Sequence, residues 1–257
     1  MAFAVALVAF VPAGVIEAPL NQRLAPSARI QVSGGTIWSG AGTLTLTSGN
    51  RDVRANDSKV DVPLKWSFAP TSLARLRLGF DVVATGPTIN GAATVEAGLL
   101  SMQVRNADLK AALDALAKIN RDLSVFKPGG ELQLLSAGNS ISVDYAAPFA
   151  MAGRLNFAAS RIRVQSFAGL PIGVPLGSYS GNMVFDGQRI NYQIEKSSGL
   201  LALNGGGHVV LGKTNEFRYQ GFASTLPGSP VWVASLLGNL GRASPDGRVN
   251  IDYKKNW

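Results

Sequence analysis

The run Val60-Asp61-Val62-Pro63-Leu64-Lys65-Trp66-Ser67-Phe68 constrains this chain more than any other stretch. Its even positions are all apolar, and its odd positions are charged, hydroxylated or proline. Successive side chains of a strand point to opposite faces, so a period of two means one oily face and one wet face. The alternation returns at residues 29–32, 43–47, 75–82 and 248–253. Shorter runs stand at 92–95, 100–104, 131–135, 140–145, 154–157 and 161–165, and again at 182–185, 189–194, 200–203, 208–211 and 216–219. Between many of them lie Gly, Asn-Gly or Pro-Gly breaks, and the chain holds 29 glycines. Many one-faced strands at short spacing predict a mainly β fold of antiparallel sheet, curved or sandwich-like, because each oily face has to be covered. Pro63 lies on the polar side of its run, which predicts an edge strand. In 75–82, Leu76 and Leu78 are expected to face the core, with Arg75 and Arg77 opposite.

Two helices interrupt the strands. Leu109, Leu113, Leu116 and Ile119 fall at helical spacing, with Asn106 or Asp108 placed to cap them. A second helix is expected over 231–240. Residues 18–26 hold Pro19 and Pro26 and read as an irregular connector, and the polar span 48–59 as a loop or hairpin tip. The Pro/Gly-rich passage 169–177 separates two groups of strands.

Two halves of the chain share a plan. Residues 35–46 align without gaps on 153–164, Asn90-Gly91 on Asn204-Gly205, and Pro128-Gly129-Gly130 on Pro245-Asp246-Gly247. The expected helices occupy matching places between them. Repetition of this kind marks a modular scaffold and suggests tandem units over 30–145 and 150–257, each with one helix.

Residues 1–16 carry no charge. A spanning helix needs about 20 apolar residues, and no basic residue precedes this one. Three readings stand: the remnant of a membrane anchor, a signal-peptide core, or a buried element. Under the first two, the domain from residue 17 to 257 is exported.

No catalytic grouping is visible. The single histidine, His208, sits in an alternating strand, and a nucleophilic triad would need a serine and a carboxylate positioned around it. Cysteine is absent, which removes thiol chemistry and thiolate metal sites. Asp52, Asp57 and Asp61 lack calcium-loop spacing. Asn90-Gly91 and Gly205-Gly206-Gly207 open no helix, so they read as tight turns and not as phosphate cradles. A net charge of +8 favours anionic surfaces, yet the basic residues are scattered. Trp38 and Trp66 sit at apolar positions, which points to core packing and away from nucleic-acid stacking. No enzyme, cofactor, metal, nucleic acid or small-molecule substrate is therefore expected from these motifs.

The stretch Gly34-Gly35-Thr36-Ile37-Trp38-Ser39-Gly40 reads as a glycine turn and a short aromatic-bearing strand. With the Pro12-Ala13 dipeptide at the end of the apolar segment, the Leu64-Lys65-Trp66 strand, the apolar strand after Leu76 and the turn at Pro128, it resembles the type II secretion system protein N family over nearly the whole chain. The motif that carries most of this likeness is Gly35, Thr36, Trp38, Ser39 and Gly40, followed by Trp66. The resemblance implies a non-enzymatic accessory component of the machine that exports folded proteins across the outer membrane. It implies a single-pass protein of the cell inner membrane with its bulk in the periplasm, whose partners are other secretion proteins and, through the N-terminal segment, the membrane. A periplasmic lipid-binding or lipid-transfer β module is the alternative, and an open, apolar sheet face longer than a domain core would favour it.

Overall fold

In a computed structural model, the described residues are 10–24, 26–48, 59–120, 127–147, 150–164, 173–211, 215–225, 229–230, 233, 237–238, 244 and 247–256. They form one antiparallel sheet of fourteen strands: β1 (Ala28–Gly35), β2 (Ser39–Thr47), β3 (Lys59–Ala69), β4 (Leu78–Thr85), β5 (Ile89–Ala97), β6 (Ser101–Ala112), β7 (Pro128–Leu135), β8 (Ser140–Asp144), β9 (Met151–Val164), β10 (Val174–Gly187), β11 (Arg189–Gly199), β12 (Leu201–Val210), β13 (Glu216–Thr225) and β14 (Val249–Asn256). Each strand pairs with the one before it, except that β8 fills the gap between the far halves of β6 and β9. The expectation of a mainly β, antiparallel fold holds. No second sheet stacks on the first among the described residues, so a sandwich is not what forms. The chain exposes 15427 Å², against about 11,000 Å² for a compact monomer of this mass.

Cover comes instead from helices at one end of the sheet. Helix α2 (Leu113–Ile119) lays Ala115 against Val60, Val62 and Ala84, with Leu44, Leu46 and Ile119 around them. At the other side of the sheet Val233 and Leu237, both helical, pack on Leu201, Ala223 and Val249. The rest of the helix expected over 231–240, apart from Gly238, lies outside the described residues. Strand β6 enters the first of these helices and β7 leaves it, so this end of the sheet is the helical end. Hairpin turns make up the opposite end.

Several expectations need correction. The helix at 109–119 starts a turn late: residues to Ala112 stay in β6, because Leu109 and Ala111 pair with Leu134 and Leu132 of β7, and long-range pairing overrides helical spacing. Most of the connector expected over 18–26 is helical: Glu17–Leu24 form helix α1. Pro19 falls in its first turn, where a missing N–H costs nothing. This helix closes the sheet's first edge: Asn21 donates to the Ile30 carbonyl at 2.9 Å and accepts the Ile30 N–H at 2.7 Å, and Glu17 accepts the Val32 N–H at 3.1 Å. An edge strand with its polar groups satisfied cannot template aggregation. Strand β3, in turn, is interior and not an edge. Its pairing with β4 begins at Leu64, one residue after Pro63, so the missing donor falls where that ladder has ended.

Asn90-Gly91 and Gly205-Gly206-Gly207, expected as turns, lie inside β5 and β12. Gly91 has φ +137 and Gly205 φ +147, and a Cβ at either would strike the backbone of the neighbouring strand. They let the sheet pass closely and coil, as glycine does where another backbone approaches. The runs 154–157 and 161–165 join into β9, with Arg161 at φ 53 in a bulge, and 200–203 and 208–211 are largely one strand, β12. Of the polar span 48–59 only its two end residues are described, of 169–177 only 173–177, and Trp257 is not described. The gapless alignment of 35–46 on 153–164 sets a hairpin and the start of β2 beside the single strand β9.

Candidate functional site

The Gly35 to Gly40 motif is a hairpin turn and not the strand expected. Thr36 N–H donates to the Ser39 carbonyl at 2.8 Å, while the Trp38 and Ser39 N–H groups both reach the Thr36 hydroxyl at 3.3 Å. Threonine side chains fold turns in this way. Gly35, at φ +97, pairs with Gly40, and a Cβ on it would run into the Ser39 carbonyl. Gly40 lies opposite Trp66, whose indole occupies the space a Cβ would take. Trp38 meets Phe68 edge-on with centroids 5.3 Å apart, and Phe68 meets Phe80 at 6.1 Å. The Phe68 N–H donates to the Trp38 carbonyl at 2.7 Å.

All six motif residues therefore meet at one corner of the sheet. The N-terminal segment docks there too: Pro12 bridges Thr36, the Ile37 N–H donates to the Val11 carbonyl at 3.0 Å, and Ala13 is 1% exposed. Trp38 and Trp66 are half-buried, and the Trp66 ring N–H is buried without a partner.

From this corner an apolar face runs across the sheet. The pairings carry it from Trp66 to Val82 and Ala93, from Val95 to Val104 and Ile141, from Ile141 through Gly153 to Phe185, and on through Ile190 and Val209 to Phe217. From β1 through β13 every charged strand residue falls on the other face. Lys255 of β14, opposite Phe217, is the exception among the described strands. Twelve steps of about 4.8 Å make the face roughly 60 Å long. The helices cover its helical end. Toward the hairpin end Val104, Phe157, Met183, Phe185 and Tyr192 are only half-buried. Its tyrosine hydroxyls are turned to the backbone: those of Tyr179, Tyr192 and Tyr219 donate to the carbonyls of Leu201, Arg218 and Asn204. Burial raises the pKa of all three, that of Tyr179 to about 12.

The opposite face carries the charge. The Lys254 ammonium lies 2.9 Å from Glu216, and His208 lies 3.1 Å from the same carboxylate. The hydrogen bond from Lys254, then that from His208, holds Glu216 below the usual carboxylate range. Arg218 grips Asp252 with two bonds at 3.1 and 3.3 Å and, with Gln220, lowers its pKa. The lone imidazole is thus part of a cross-strand ladder at β12 to β14. Among the described residues no group of His, Asp and Glu could hold a metal ion. Asp61 accepts the Thr45 hydroxyl at 2.6 Å, while Asp52 and Asp57 lie outside the described residues.

One polar cluster escaped the sequence reading. Glu96 is 1% exposed, with Arg75 at 2.7 Å and the Ser72 hydroxyl at 3.2 Å. Residues 75–77, expected to open a strand, instead end a 3-10 turn (Pro70–Arg75) that folds onto the charged face, and β4 begins at Leu78. Leu76, expected in the core, takes a left-handed conformation and is 91% exposed. Its neighbour Arg75, half exposed, reaches one oxygen of the buried Glu96. Arg-Leu-Arg-Leu alternation in sequence carries no sign of that distant carboxylate.

A family model described as Type II secretion system (T2SS), protein N matches residues 26–252. Comparison with curated proteins and with solved structures gave no match.

Proposed function

This chain belongs to the type II secretion system protein N family, and on that premise we propose that it is a non-enzymatic accessory component of the secretion machine, held at the inner membrane with its sheet in the periplasm. The observation that carries the reading is the family match over nearly all of the sheet. The site agrees with it: one face is charged, and the lone imidazole is engaged in a contact with Glu216. No helix among the described residues is long and apolar enough to cross a membrane. Residues 1–16 are proposed as the anchoring segment, since they carry no charge and residues 11–13 dock on the motif corner. The domain 17–257 is read as two related units, 30–145 and 150–257. The order β6, helix, β7 matches the order β13, helical residues, β14.

Photo-crosslinking in cells tests this reading, with probes at exposed positions of the charged face such as Asp81, Arg154 and Arg189. Adducts to other secretion proteins are expected. Adducts to phospholipid alone, with no secretion protein, would overturn it.

A second reading, lipid handling, is favoured by one specific feature. From β1 through β13 the apolar lane is charge-free, and it is partly exposed and far longer than a domain core, which suits acyl chains. Extraction of the purified protein with organic solvent should then release phospholipid, and Phe157→Asp with Phe185→Asp should abolish that release. Protein that carries no lipid would end this reading and leave the first intact.

A further inference from the structure

The four most exposed large apolar side chains, Leu99, Leu76, Leu100 and Phe10, share one end of the sheet, while less exposed ones such as Leu20, Leu24, Val83 and Tyr253 lie elsewhere. Leu76 (91% exposed), Leu99 (96%) and Leu100 (79%) stand on the β3–β4 and β5–β6 connections, with Leu73 and Leu78 beside them. Tyr145, after β8, is also exposed, and its N–H donates to the Leu100 carbonyl at 3.1 Å. In an antiparallel meander, alternate connections share one end of the sheet. These connections and the Gly35 to Gly40 hairpin therefore lie together, at the end opposite both helices. The uncharged N-terminal segment enters at the same end: Phe10 is 75% exposed and precedes Val11 and Pro12, which join the hairpin.

We infer that this leucine-tipped end of the sheet is a second membrane contact, dipping its loops into the interface of a phospholipid bilayer next to the point where the N-terminal segment enters. Three observations select a bilayer over a protein partner. The leucines sit on separate loop tips at exposures where a soluble surface gains nothing from them, and they offer no hydrogen-bonding group to specify a partner. Loops 70–77 and 98–100 hold Arg75 and Arg77 and no acidic residue; Arg75 is paired with the buried Glu96, and the exposed Asp144 lies beside Ser101 at the same end. Arg77, held against Ser101, remains beside the leucines to meet headgroup phosphates, as basic residues next to inserted apolar side chains do at membrane interfaces. The third is position: Phe10, which nine uncharged residues precede in the sequence, lies at this end and not at the helical end. With its loops seated in the interface, the sheet would stand on the membrane with the open lane leading away from it. The inference does not depend on the secretion role, because its test contains no secretion protein.

The absence of cysteine makes the test direct. Full-length single-cysteine variants Leu76→Cys, Leu99→Cys, Leu100→Cys and, at the helical end, Lys118→Cys are labelled with an environment-sensitive fluorophore. Each is then mixed with vesicles of phosphatidylethanolamine and phosphatidylglycerol and floated. The three leucine positions should shift to the blue and gain intensity while Lys118 stays at its aqueous emission. Three results would overturn the inference: a chain that floats with all three leucine labels still aqueous, held by its N-terminal segment alone; a shift at Lys118 equal to theirs; or a chain that does not float.

Discussion

Gly40→Ala adds one methyl group at the motif corner, and the geometry fixes what it meets. Its Cβ would lie 2.8 Å from the Trp66 Cε2 atom and 2.8 Å from the Gly34 carbonyl oxygen. Gly40 has no positive φ, so the cost is steric alone. Overpacking of a fixed site costs about 1–3 kcal/mol, and with both a ring and a backbone oxygen in the way we expect about 2 kcal/mol. For a slope of about 3 kcal/mol per molar urea, that lowers the unfolding midpoint by roughly 0.7 M. Trp66→Leu removes the ring and should cost about 2–3 kcal/mol alone, since a large half-buried aromatic side chain is lost. In Gly40→Ala with Trp66→Leu the methyl has room on one side, and the pair should cost about 1 kcal/mol less than the sum of the singles. The measurement is urea unfolding of all four proteins followed by tryptophan fluorescence and circular dichroism. Strict additivity would refute the claim that Gly40 is glycine because of the Trp66 ring. A Gly40→Ala protein as stable as the parent would refute the hairpin geometry itself.

Removing the partner of the buried carboxylate is the next test: Arg75→Ala should destabilise by about 2 kcal/mol, below the 3–5 kcal/mol of a fully buried pair because the guanidinium is half exposed, and Glu96→Gln should cost less by the same urea assay. Glu216 and Asp252 both have folded pKa values below their ordinary 4.5 and 3.8, so the stability they lend is present above those values and is lost as pH falls through the lower, folded ones. Amide protection in β13 and β14 should therefore drop below about pH 4, and Glu216→Gln should flatten that drop. At the alkaline end the sign reverses. Tyr179 ordinarily ionises near 10 and is raised to about 12 in the folded chain, so stability should fall between those values, and absorbance titration should show tyrosines ionising late until the chain unfolds.

What could be read from the sequence was whatever depends on neighbours one or two residues away. The alternation at 60–68 gave β3 within a residue at each end, and Glu131, Ser140 and Arg189 each fall in the strands expected. Local period could not tell that Leu109 and Ala111 would find strand partners in β7, or that Arg75 would leave its strand for Glu96. Glycine chemistry misled for a related reason. The same residue serves a turn at Gly35 and a mid-strand close approach at Gly205, and only the neighbouring backbone distinguishes them. The motif residues were legible as a set, but their meeting depends on β3 lying beside β2, which sets Trp66 opposite Gly40. The length of the charge-free lane follows from twelve neighbouring strands, β1 to β7 and β9 to β13, a property of topology that no single run contains.

The central claim is that this sheet is a single layer whose apolar side lies partly open. Alkylation rates at single cysteines in β9 and β10 test it most directly, in the pairs Phe157→Cys with Ala158→Cys and Met183→Cys with Val184→Cys. The apolar-face positions should react within about tenfold of their charged-face neighbours, as half-buried side chains open to solvent through local fluctuation. Complete protection at Phe157 and Met183, with brisk reaction at Ala158 and Val184, would mean that a second layer covers the lane and would contradict the account.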